Sequence, residues 1–236
     1  MDILTEKIKN KIIEISNNNK NEEICGLVIK RFDNLLVFEC ENVAFHKKNH
    51  CVLNPLDYIK ADKMGEIIAH FHSQDEDGYS NTDFINACGH NIFSIIYCKK
   101  NENFYIIDPK NKNYLNLDFK IGENDCFSLV RNFYKDRFNI IINNYERNEN
   151  WYKKDPNIIL NNFTKENFKE IDTKDIKEND VLIFNIGGVS QHFAIYMGNN
   201  FILHHPFNSV SIINELTNSL KNRIIKVVRH NNFFYE

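Results

Sequence analysis

The pattern of apolar positions predicts two stretches with different arrangements of helix and strand. In "MDILTEKIKNKIIEIS", Leu4, Ile8, Ile12 and Ile15 recur at helical spacing between charges, which predicts an amphipathic surface helix and not a signal peptide. Short strand-like runs follow, interrupted by one predicted helix from about Asn81: "CGLVIKRF", "NLLVFECE", "EIIAHFH", "NIFSIIYC" and "NFYIIDP". This mixture predicts an α/β or α+β domain over residues 1–109.

The second stretch has its helix first and its strands afterwards. A polar, turn-prone segment, "KNKNYLNLDFK" at residues 110–120, predicts a linker. Beyond it, "NDCFSLVRNFYKDRF" has the pattern of a helix, and the later apolar runs are typical of strands: "DVLIFNI", "HFAIYMG", "FILHH" and "IIKVVRH". A helix followed by an antiparallel sheet is the simplest arrangement, so we expect an α+β domain over residues 110–236.

Composition narrows the classes of partner. The 236 residues suffice for one large or two small domains, and 42% hydrophobic with 26% charged residues is typical of a globular chain. A net charge of −3, with both signs interspersed, predicts neither a nucleic-acid partner nor an anionic membrane surface, and no apolar stretch approaches a membrane span. The six cysteines show no C-x-x-C spacing, which favours a reducing, cytoplasmic site of synthesis.

Polar side chains suited to a metal ion follow the third apolar run. Residues two apart in a strand point to the same side, so His70 and His72 can aim at one point beyond the sheet. Asp83, in the first turn of the next predicted helix, could complete three zinc ligands and leave a fourth position for water. Two readings without a metal stay open: a chance pair of surface histidines, and a capping box formed by Ser80 and Asp83 in "SNTD".

A second set of reactive residues lies in the second stretch. Asn124 or Asp125 is a plausible helix N-cap, which puts Cys126 in the first turn, where the helix dipole favours a thiolate. His192 opens a predicted strand and could serve as the general base. Either His204 or His205 could orient it: a three-residue turn through Gly198-Asn199-Asn200 selects the first, and a two-residue turn selects the second. A packing role for each residue is the alternative.

The N-terminal spacing resembles that of a known metallopeptidase family. H-x-H, then seven residues, then S-x-x-D, with "EEICGLV" upstream, resembles the JAMM (Mov34/MPN-type) pattern over roughly residues 20–108. The resemblance implies a cytidine-deaminase-like fold that binds one Zn²⁺ ion. It also implies roles for five side chains: His70, His72 and Asp83 as ligands, Glu23 as the base that deprotonates water, and Ser80 as a donor to the oxyanion.

Two positions qualify the JAMM resemblance. Glu22 is a less favoured substitute for Glu23 as the base. Ser73 stands where family members usually carry Pro, a departure that concerns loop-dependent choice of substrate more than metal binding.

The C-terminal motifs resemble those of a cysteine peptidase family. "DC-x-S-L-V", then "H-x-A-I-Y-x-G-N" and a histidine twelve residues after the first, resembles the NlpC-type papain-like peptidases over about residues 115–236. The resemblance selects His204 as the partner of His192. It implies cleavage of bacterial cell-wall stem peptides, typically next to γ-linked D-glutamate, through an acyl-enzyme. Phe119 stands where a tyrosine often assists the oxyanion, so the backbone N–H of Cys126 would carry more of that load.

The two modules together resemble one architecture. A JAMM module followed by an NlpC-type module is that of tail tip assembly proteins of long-tailed phages, of the lambda tail assembly type, and the isolated Trp151 and the closing "VVRH" add to the likeness. The resemblance implies a bifunctional peptidase of the tail tip, made in the host cytoplasm and carried by the virion, with peptidoglycan peptides and other tail tip proteins as partners. The alternatives are a tail assembly scaffold with little activity and a cytoplasmic isopeptidase acting on ubiquitin-like tails.

Overall fold

The chain divides into two compact units. The structure is a computed structural model that describes residues 3–110, 114–147, 158–186 and 189–234, so Trp151 lies outside the described residues. The units are Met1–Asn111 and Lys112–Glu236, a division close to the predicted boundary after residue 109. Each has a mixed α/β composition and its own sheet.

Over residues 3–110, the N-terminal unit consists of a five-stranded mixed sheet and three helices. The sheet order is β2-β1-β3-β4-β5, and every neighbouring pair is antiparallel except β3 and β4, which are parallel. The elements in chain order are α1 (Glu6–Asn18), β1 (Cys25–Arg31), β2 (Asn34–Cys40), α2 (Pro55–Asp62), β3 (Glu66–Gln74), α3 (Asn81–His90), β4 (Phe93–Cys98) and β5 (Asn103–Ile107).

Apolar periodicity explains most of these elements. The predicted N-terminal helix is confirmed: Ile8, Ile12 and Ile15 line its buried face and pack in one core with strand residues such as Val28 and Phe71. Helix α2 was not predicted, although Asn54 caps it and Pro55 follows in its first turn, which is a common start signal. Its apolar side chains Leu56 and Ile59 are exposed, so hydrophobic periodicity gave no signal there.

In the described part of the C-terminal unit, the longest helix packs against a six-stranded antiparallel sheet. The sheet order is β10-β9-β8-β7-β11-β6, and the helix α4 packs on β8. This arrangement confirms the predicted helix followed by an antiparallel sheet. The elements in chain order are α4 (Cys126–Phe138), α5 (Ile158–Asn162), β6 (Phe168–Ile171), β7 (Val181–Ile186), β8 (Val189–Gly198), β9 (Phe201–His204), β10 (Ile212–Glu215), α6 (Asn218–Lys221) and β11 (Ile224–His230).

The predicted linker is part of the C-terminal unit. Tyr114 and Leu115 are buried, and the backbone N–H and carbonyl of Leu117 bond to the side chain and backbone of Ser211 at 3.0 and 3.1 Å. The interpretation of residues 110–120 as a linker was therefore wrong for residues 114–120, whereas their assignment to the domain over residues 110–236 agrees with these contacts. The segment is polar on average, but it contains two large apolar side chains, Tyr114 and Leu115, which are buried in the core.

The core behind the start of α4 is strongly aromatic. Phe127, Val130 and Tyr134 form a buried stripe on α4, and Phe127 packs against Phe163 and Phe193. Because tightly packed aromatic rings restrict one another, this core holds the first turn of α4 against β8. In the described part of the chain, none of the helices combines the length and the apolar character that crossing a bilayer requires.

Candidate functional site

The first turn of α4 presents Cys126. Asp125 is the N-cap, and its Oδ1 accepts a hydrogen bond of 2.8 Å from the backbone N–H of Ser128. Of the two predicted caps, the structure therefore uses Asp125 and not Asn124. Cys126 is the first residue of the helix and is half-buried. Its thiol accepts a hydrogen bond from the backbone N–H of Phe193, so it lies beside the strand that carries His192.

Two neighbouring strands bring two histidines together. His192 on β8 and His204 on β9 are in contact, with 2.8 Å between Nε2 of the first and Nδ1 of the second. Ala194 is the direct partner of His204 in the ladder, so His192, two residues away, is its diagonal neighbour on the same face. His205 instead bonds through Nε2 to the carbonyl of Ser209 at 3.2 Å. The structure thus pairs His204, and not His205, with His192.

The hairpin reaches this register by an unexpected route. The turn has two residues, Asn199 and Asn200, both with positive φ, a geometry that favours asparagine and glycine. A two-residue turn alone would place His205 opposite Ala194. However, a β-bulge between Tyr196 and Gly198 shifts the ladder by one residue and restores His204 to that position. Of the two turns that the sequence left open, the two-residue turn forms, and the bulge nevertheless places His204 and not His205 on the face of His192.

Burial dominates the electrostatics of the thiol. It raises the pKa of Cys126 to about 12, and the charge of Asp125 raises it further, against the backbone N–H groups of Phe193 and Phe127 and the charge of Arg147. The predicted stabilisation of a thiolate by the helix start is therefore outweighed by desolvation, and the resting group is a neutral thiol. A base must take its proton as it attacks.

Both paired histidines are neutral at physiological pH. Burial lowers the pKa of His192 to about 3, helped by the proximity of His204 and His205, and burial lowers that of His204 to about 4. A neutral imidazole has one free nitrogen lone pair and can accept a proton. A thiol next to the strand that carries one imidazole, which is itself held by a second imidazole, is an arrangement suited to nucleophilic attack on a carbonyl.

Two further side chains contact the adjacent histidines His205 and His204, one each. Phe119 packs edge-on against His205 and Phe207, with ring centroids 5.4 and 5.1 Å apart, so it contributes an apolar wall. Asn214 on β10 lies 3.4 Å from Nε2 of His204 through its amide nitrogen. Sequence reasoning did not find Asn214, because its position depends on a strand, β10, that was not predicted.

In the N-terminal unit, part of the predicted zinc set is in contact. His72 Nε2 lies 3.6 Å from Asp83 Oδ1 and 3.3 Å from Gln74 Oε1. His70 occupies the same face of β3, and burial, with the charges of His72 and His90, lowers its pKa to about 4. A neutral imidazole is the form that binds a metal.

The predicted capping box is also present. Ser80 caps α3: its backbone N–H and its hydroxyl both donate to Asp83 Oδ2 at 2.8 Å, and its Oγ accepts from the N–H of Asp83 at 3.1 Å. The carboxylate of Asp83 is therefore shared between the helix cap and His72. The hydroxyl of Ser80, predicted as an oxyanion donor, here points its proton at Asp83.

Glu23 lies just before β1 and is buried. Burial raises its pKa to about 7, against the charge of Lys99 and together with those of Glu76 and Asp83. Ser73 joins this segment to β3, since its N–H donates to the carbonyl of Ile24 and its Oγ accepts from the N–H of Ile24, both at 3.0 Å. A proline at position 73 could not make either bond.

The donor chemistry of this set fits zinc, and its geometry is incomplete. Neutral imidazoles and a carboxylate are ordinary zinc ligands. Within the residues that the structure describes, however, no group of three or more His, Cys, Asp or Glu side chains is arranged to hold a metal ion. The zinc site at His70, His72 and Asp83 stays a prediction.

Known proteins resemble the chain to different extents. It is 24% identical over 217 residues to "Tail tip assembly protein K" of Escherichia phage N15, which is 88% of this chain and 88% of that protein. An alignment of this length exceeds either unit, so the similarity extends into both.

Three solved structures are similar in part. The NlpC/P60 domain of peptidoglycan hydrolase SagA is 12% identical, with a TM-score of 0.36, 64% of this chain and 99% of that chain covered. An NlpC/P60 family protein from Bacillus cereus is 14% identical, with a TM-score of 0.38 and coverages of 92% and 66%. A lipoprotein-like member from Staphylococcus aureus is 12% identical, with a TM-score of 0.35 and coverages of 96% and 61%. With TM-scores this low, these structures add no argument to the sequence comparison.

A family comparison covers the C-terminal unit. Residues 113–229 match the NlpC/P60 family, and this range contains Cys126, His192 and His204. The match begins at residue 113, so the JAMM interpretation of residues 1–109 stays a prediction. The C-terminal unit is therefore the part of this chain that is similar to the NlpC/P60 family.

Proposed function

We propose that the chain is a cysteine peptidase that hydrolyses the stem peptides of peptidoglycan. The observation that carries the proposal is the contact of His192 with His204 at 2.8 Å, on a strand that also bonds to the Cys126 thiol through Phe193. The NlpC/P60 match of the same residues supports a hydrolase of this class. Cys126 is the nucleophile, His192 the general base and His204 the group that orients it.

The reaction follows from the neutral resting state. As Sγ of Cys126 bonds to the peptide carbonyl carbon, its proton passes to His192, which is free to accept it. His192 then returns this proton to the leaving amine as the C–N bond breaks, which leaves an acyl-enzyme. Water attacks the acyl carbon in the second half-reaction, with the same histidine as base and then as acid, and the thiol is regenerated.

The oxyanion is stabilised by the helix start. The backbone N–H of Cys126 is in the first turn of α4, at the positive end of the helix dipole, so it is suited to donate to the developing negative charge. Phe119 has no hydroxyl to add a second donor. We expect turnover to be modest, because one preorganised donor is commonly worth about 3 kcal/mol.

The biological setting that we propose is the tip of a phage tail. The similarity to a protein named for tail tip assembly supports it. In this setting the enzyme opens the cell wall locally during infection and binds other tail tip proteins. The alternative is an assembly scaffold with little activity, in which Cys126 and its histidines serve packing alone.

The experiment is a wall-digestion assay with the full chain. Purified peptidoglycan is incubated with wild type, Cys126→Ala and, as a matched cysteine control from the other unit, Cys88→Ala. We expect soluble peptide fragments from wild type and Cys88→Ala, and a loss of at least about 10³-fold in Cys126→Ala. Release should survive a metal chelator. Equal release by Cys126→Ala and wild type, or none by either, would contradict the proposal.

We propose a zinc-dependent peptidase site in the N-terminal unit as a second function. The 3.6 Å contact of His72 with Asp83, together with the JAMM spacing, favours it. His70, His72 and Asp83 would hold the ion, which when bound acts as a Lewis acid on the scissile carbonyl. Glu23 would accept a proton from the attacking water, and its raised pKa of about 7 is suited to both accepting and releasing it.

Zinc content tests this second proposal. The chain is reconstituted with Zn²⁺, freed of excess ion and analysed by mass spectrometry under native conditions. We expect one ion per chain in wild type, none in His72→Ala or Asp83→Ala, and one in the control His90→Ala. A wild-type chain without zinc, or variants that retain it, would remove this site.

A further inference from the structure

Arg147 makes a dense set of contacts at the start of the catalytic helix. Its Nε donates to Asp125 Oδ2 at 2.9 Å, and its Nη2 donates to Asp125 Oδ1 and to Ser128 Oγ, both at 3.0 Å. Its Nη1 donates to the carbonyl of Tyr145 at 2.6 Å and to Asn144 Oδ1 at 3.2 Å. All five N–H donors of the guanidinium therefore have partners, a pattern that lysine could not reproduce.

This ion pair is removed from water. The side chain of Arg147 is 1% exposed and that of Asp125 is 7% exposed. The guanidinium also lies 4.9 Å above the ring of Phe127. Breaking a buried pair by removing one partner leaves an uncompensated charge, which costs far more than losing an exposed pair. Arg147 is thus paired with Asp125, the residue directly before Cys126.

We propose that Arg147 is a positioning residue of the cysteine site: it fixes the carboxylate of Asp125 as the helix cap and balances its negative charge beside the Cys126 thiol. The proposal rests on the proposed peptidase function. Asp125 has two tasks in this arrangement, since its Oδ2 also accepts the N–H of Gly122 at 2.6 Å while Oδ1 accepts that of Ser128 at 2.8 Å. The carboxylate therefore joins the approach to the helix to its first turn.

Charge balance separates this role from packing. Burial raises the pKa of Asp125, but its hydrogen bond and charge pairing with Arg147 hold it below its usual value, so the group is an anion. An anion next to Cys126 disfavours the thiolate, and Arg147 opposes that effect. Three other charged or titratable groups lie nearby: Arg131, whose charge interacts with those of Arg147 and Asp125, His205, which senses the charge of Asp125, and His192, on the strand that bonds the thiol.

The segment that carries Arg147 packs closely against the chain before α4. Gly122 has a φ of +79°, and a Cβ there would stand 3.0 Å from the carbonyl oxygen of Arg147. Arg131 on α4 holds the same segment from another point, because its Nε donates to the carbonyl of Ile142 at 2.9 Å. Arg131 is therefore the matched control for loosening the segment without removing the partner of Asp125.

The experiment measures alkylation of Cys126 by iodoacetamide against pH, followed by mass spectrometry of the peptide that contains it. Arg147→Met leaves Asp125 unbalanced, so we expect alkylation at pH 8 to slow by about tenfold, the effect of one unit in the thiol pKa. Asp125→Asn keeps an acceptor for the cap and leaves Arg147 as an unbalanced cation, so alkylation should accelerate. In the double variant, Asp125→Asn with Arg147→Met, the rate should return to within about threefold of wild type.

The double variant decides between the two roles. If Arg147 acts through packing alone, the double variant loses the same hydrogen bonds as Arg147→Met. Its thiol should then be alkylated as slowly as in Arg147→Met, and the rates of the three variants should not follow the net charge of the pair. That result overturns the proposal. Should Arg147→Met fail to fold, as judged by near-ultraviolet circular dichroism, the acceleration in Asp125→Asn decides alone, and its absence overturns the proposal.

Two controls complete the design. Arg131→Met should change alkylation by less than about threefold, because it leaves the pair intact. Because the assay reads the thiol and not hydrolysis, a wild type that digests no peptidoglycan contradicts the peptidase function while the alkylation series still tests Arg147. Where digestion is seen, its rate should follow the same order across the variants.

Discussion

The two units position their reactive side chains in the same way, on a strand and in the first turn of a helix. They differ in how many of the expected side chains are in contact. In each unit, one group lies in a strand and another in the first turn of a helix: His72 and Asp83 in the first, His192 and Cys126 in the second. In the second unit a further strand adds His204 in direct contact at 2.8 Å. In the first, Asp83 divides its carboxylate between the helix cap and a histidine 3.6 Å away.

The difference teaches what a protein fold can fix without a ligand. Neutral imidazoles can bond to each other directly, so the protein alone can assemble a thiol and two histidines. Metal ligands all present lone pairs or negative charge to a common point, and they repel one another until a cation occupies it. The capping box formed by Ser80 and Asp83 holds one candidate ligand, Asp83, close to His72 without a metal ion, because the helix cap stabilises its carboxylate.

The largest expected effect separates the two adjacent histidines at the end of β9. His204 orients His192, so His204→Ala should lower peptidoglycan digestion by about 10²-fold or more, as for other groups that orient a general base. His205 bonds to a backbone carbonyl instead, so His205→Ala should lower the digestion rate by less than tenfold, provided that the variant remains folded. The measurement is the initial rate of fragment release. Equal losses in both variants would mean that the contact with His192 has no catalytic weight.

The same hairpin shows where sequence reasoning stops. Alternation placed His192 correctly within a strand, and the order of motifs selected His204. The facing of His204 nevertheless depends on a bulge after Tyr196 combined with a two-residue turn. A bulge shifts every later residue to the other face, and nothing in "IYMGNN" distinguishes it from a longer turn, because both leave the same residues between the strands.

Other features show the same limit. Caps and apolar stripes predicted α1 and α4, because those signals are local. Helix α2 exposes its apolar side chains, the supposed linker buries Tyr114 and Leu115, and Arg147 finds Asp125 across 22 residues. Each of these depends on contacts distant in sequence. Burial of the Cys126 thiol likewise depends on the packed strand and reversed the effect expected from the helix start alone.

The second prediction uses pH to contrast the units. In the C-terminal unit, burial lowers the pKa of His192 to about 3 and of His204 to about 4. The unfolded chain therefore binds more protons below pH 6.5, and stability should fall by a few kcal/mol between pH 7 and pH 4. In the N-terminal unit, His70 acts in that direction, whereas Glu23, with a raised pKa of about 7, loses its contribution as pH rises from 4.5 to 7.

Hydrogen exchange resolves the two units in one experiment. With a chelator present, peptides from the C-terminal unit should lose protection steeply as pH falls, after correction for the intrinsic exchange rate, and those from the N-terminal unit should change less. His204→Asn removes one titrating group and should reduce the slope of the C-terminal unit alone. Parallel slopes in the two units would contradict the assignment of these charges.

The third prediction concerns the double use of Asp83. Without zinc, Asp83→Ala and Ser80→Ala should each lower the unfolding free energy by about 1 kcal/mol, because each removes part of the capping box. Zinc should raise the midpoint of urea unfolding in wild type and in Ser80→Ala but not in Asp83→Ala, if Asp83 is a ligand. An unchanged wild-type midpoint in zinc would leave Asp83 as a cap and nothing more.

The smallest expected effect concerns the wall of the cysteine site. Phe119 packs against His205 and Phe207 and stands where a tyrosine often assists the oxyanion, so Phe119→Tyr restores a hydroxyl at that position. If this hydroxyl reaches the oxyanion, kcat should rise by up to about tenfold with KM unchanged, because a donor that acts in the transition state alone raises kcat. Phe207→Tyr adds the same group on the exposed side of that wall and should change neither constant. A change in KM without a change in kcat would mean that the hydroxyl contacts the bound substrate and not the oxyanion. The N–H of Cys126 would then remain the one oxyanion donor proposed for this site.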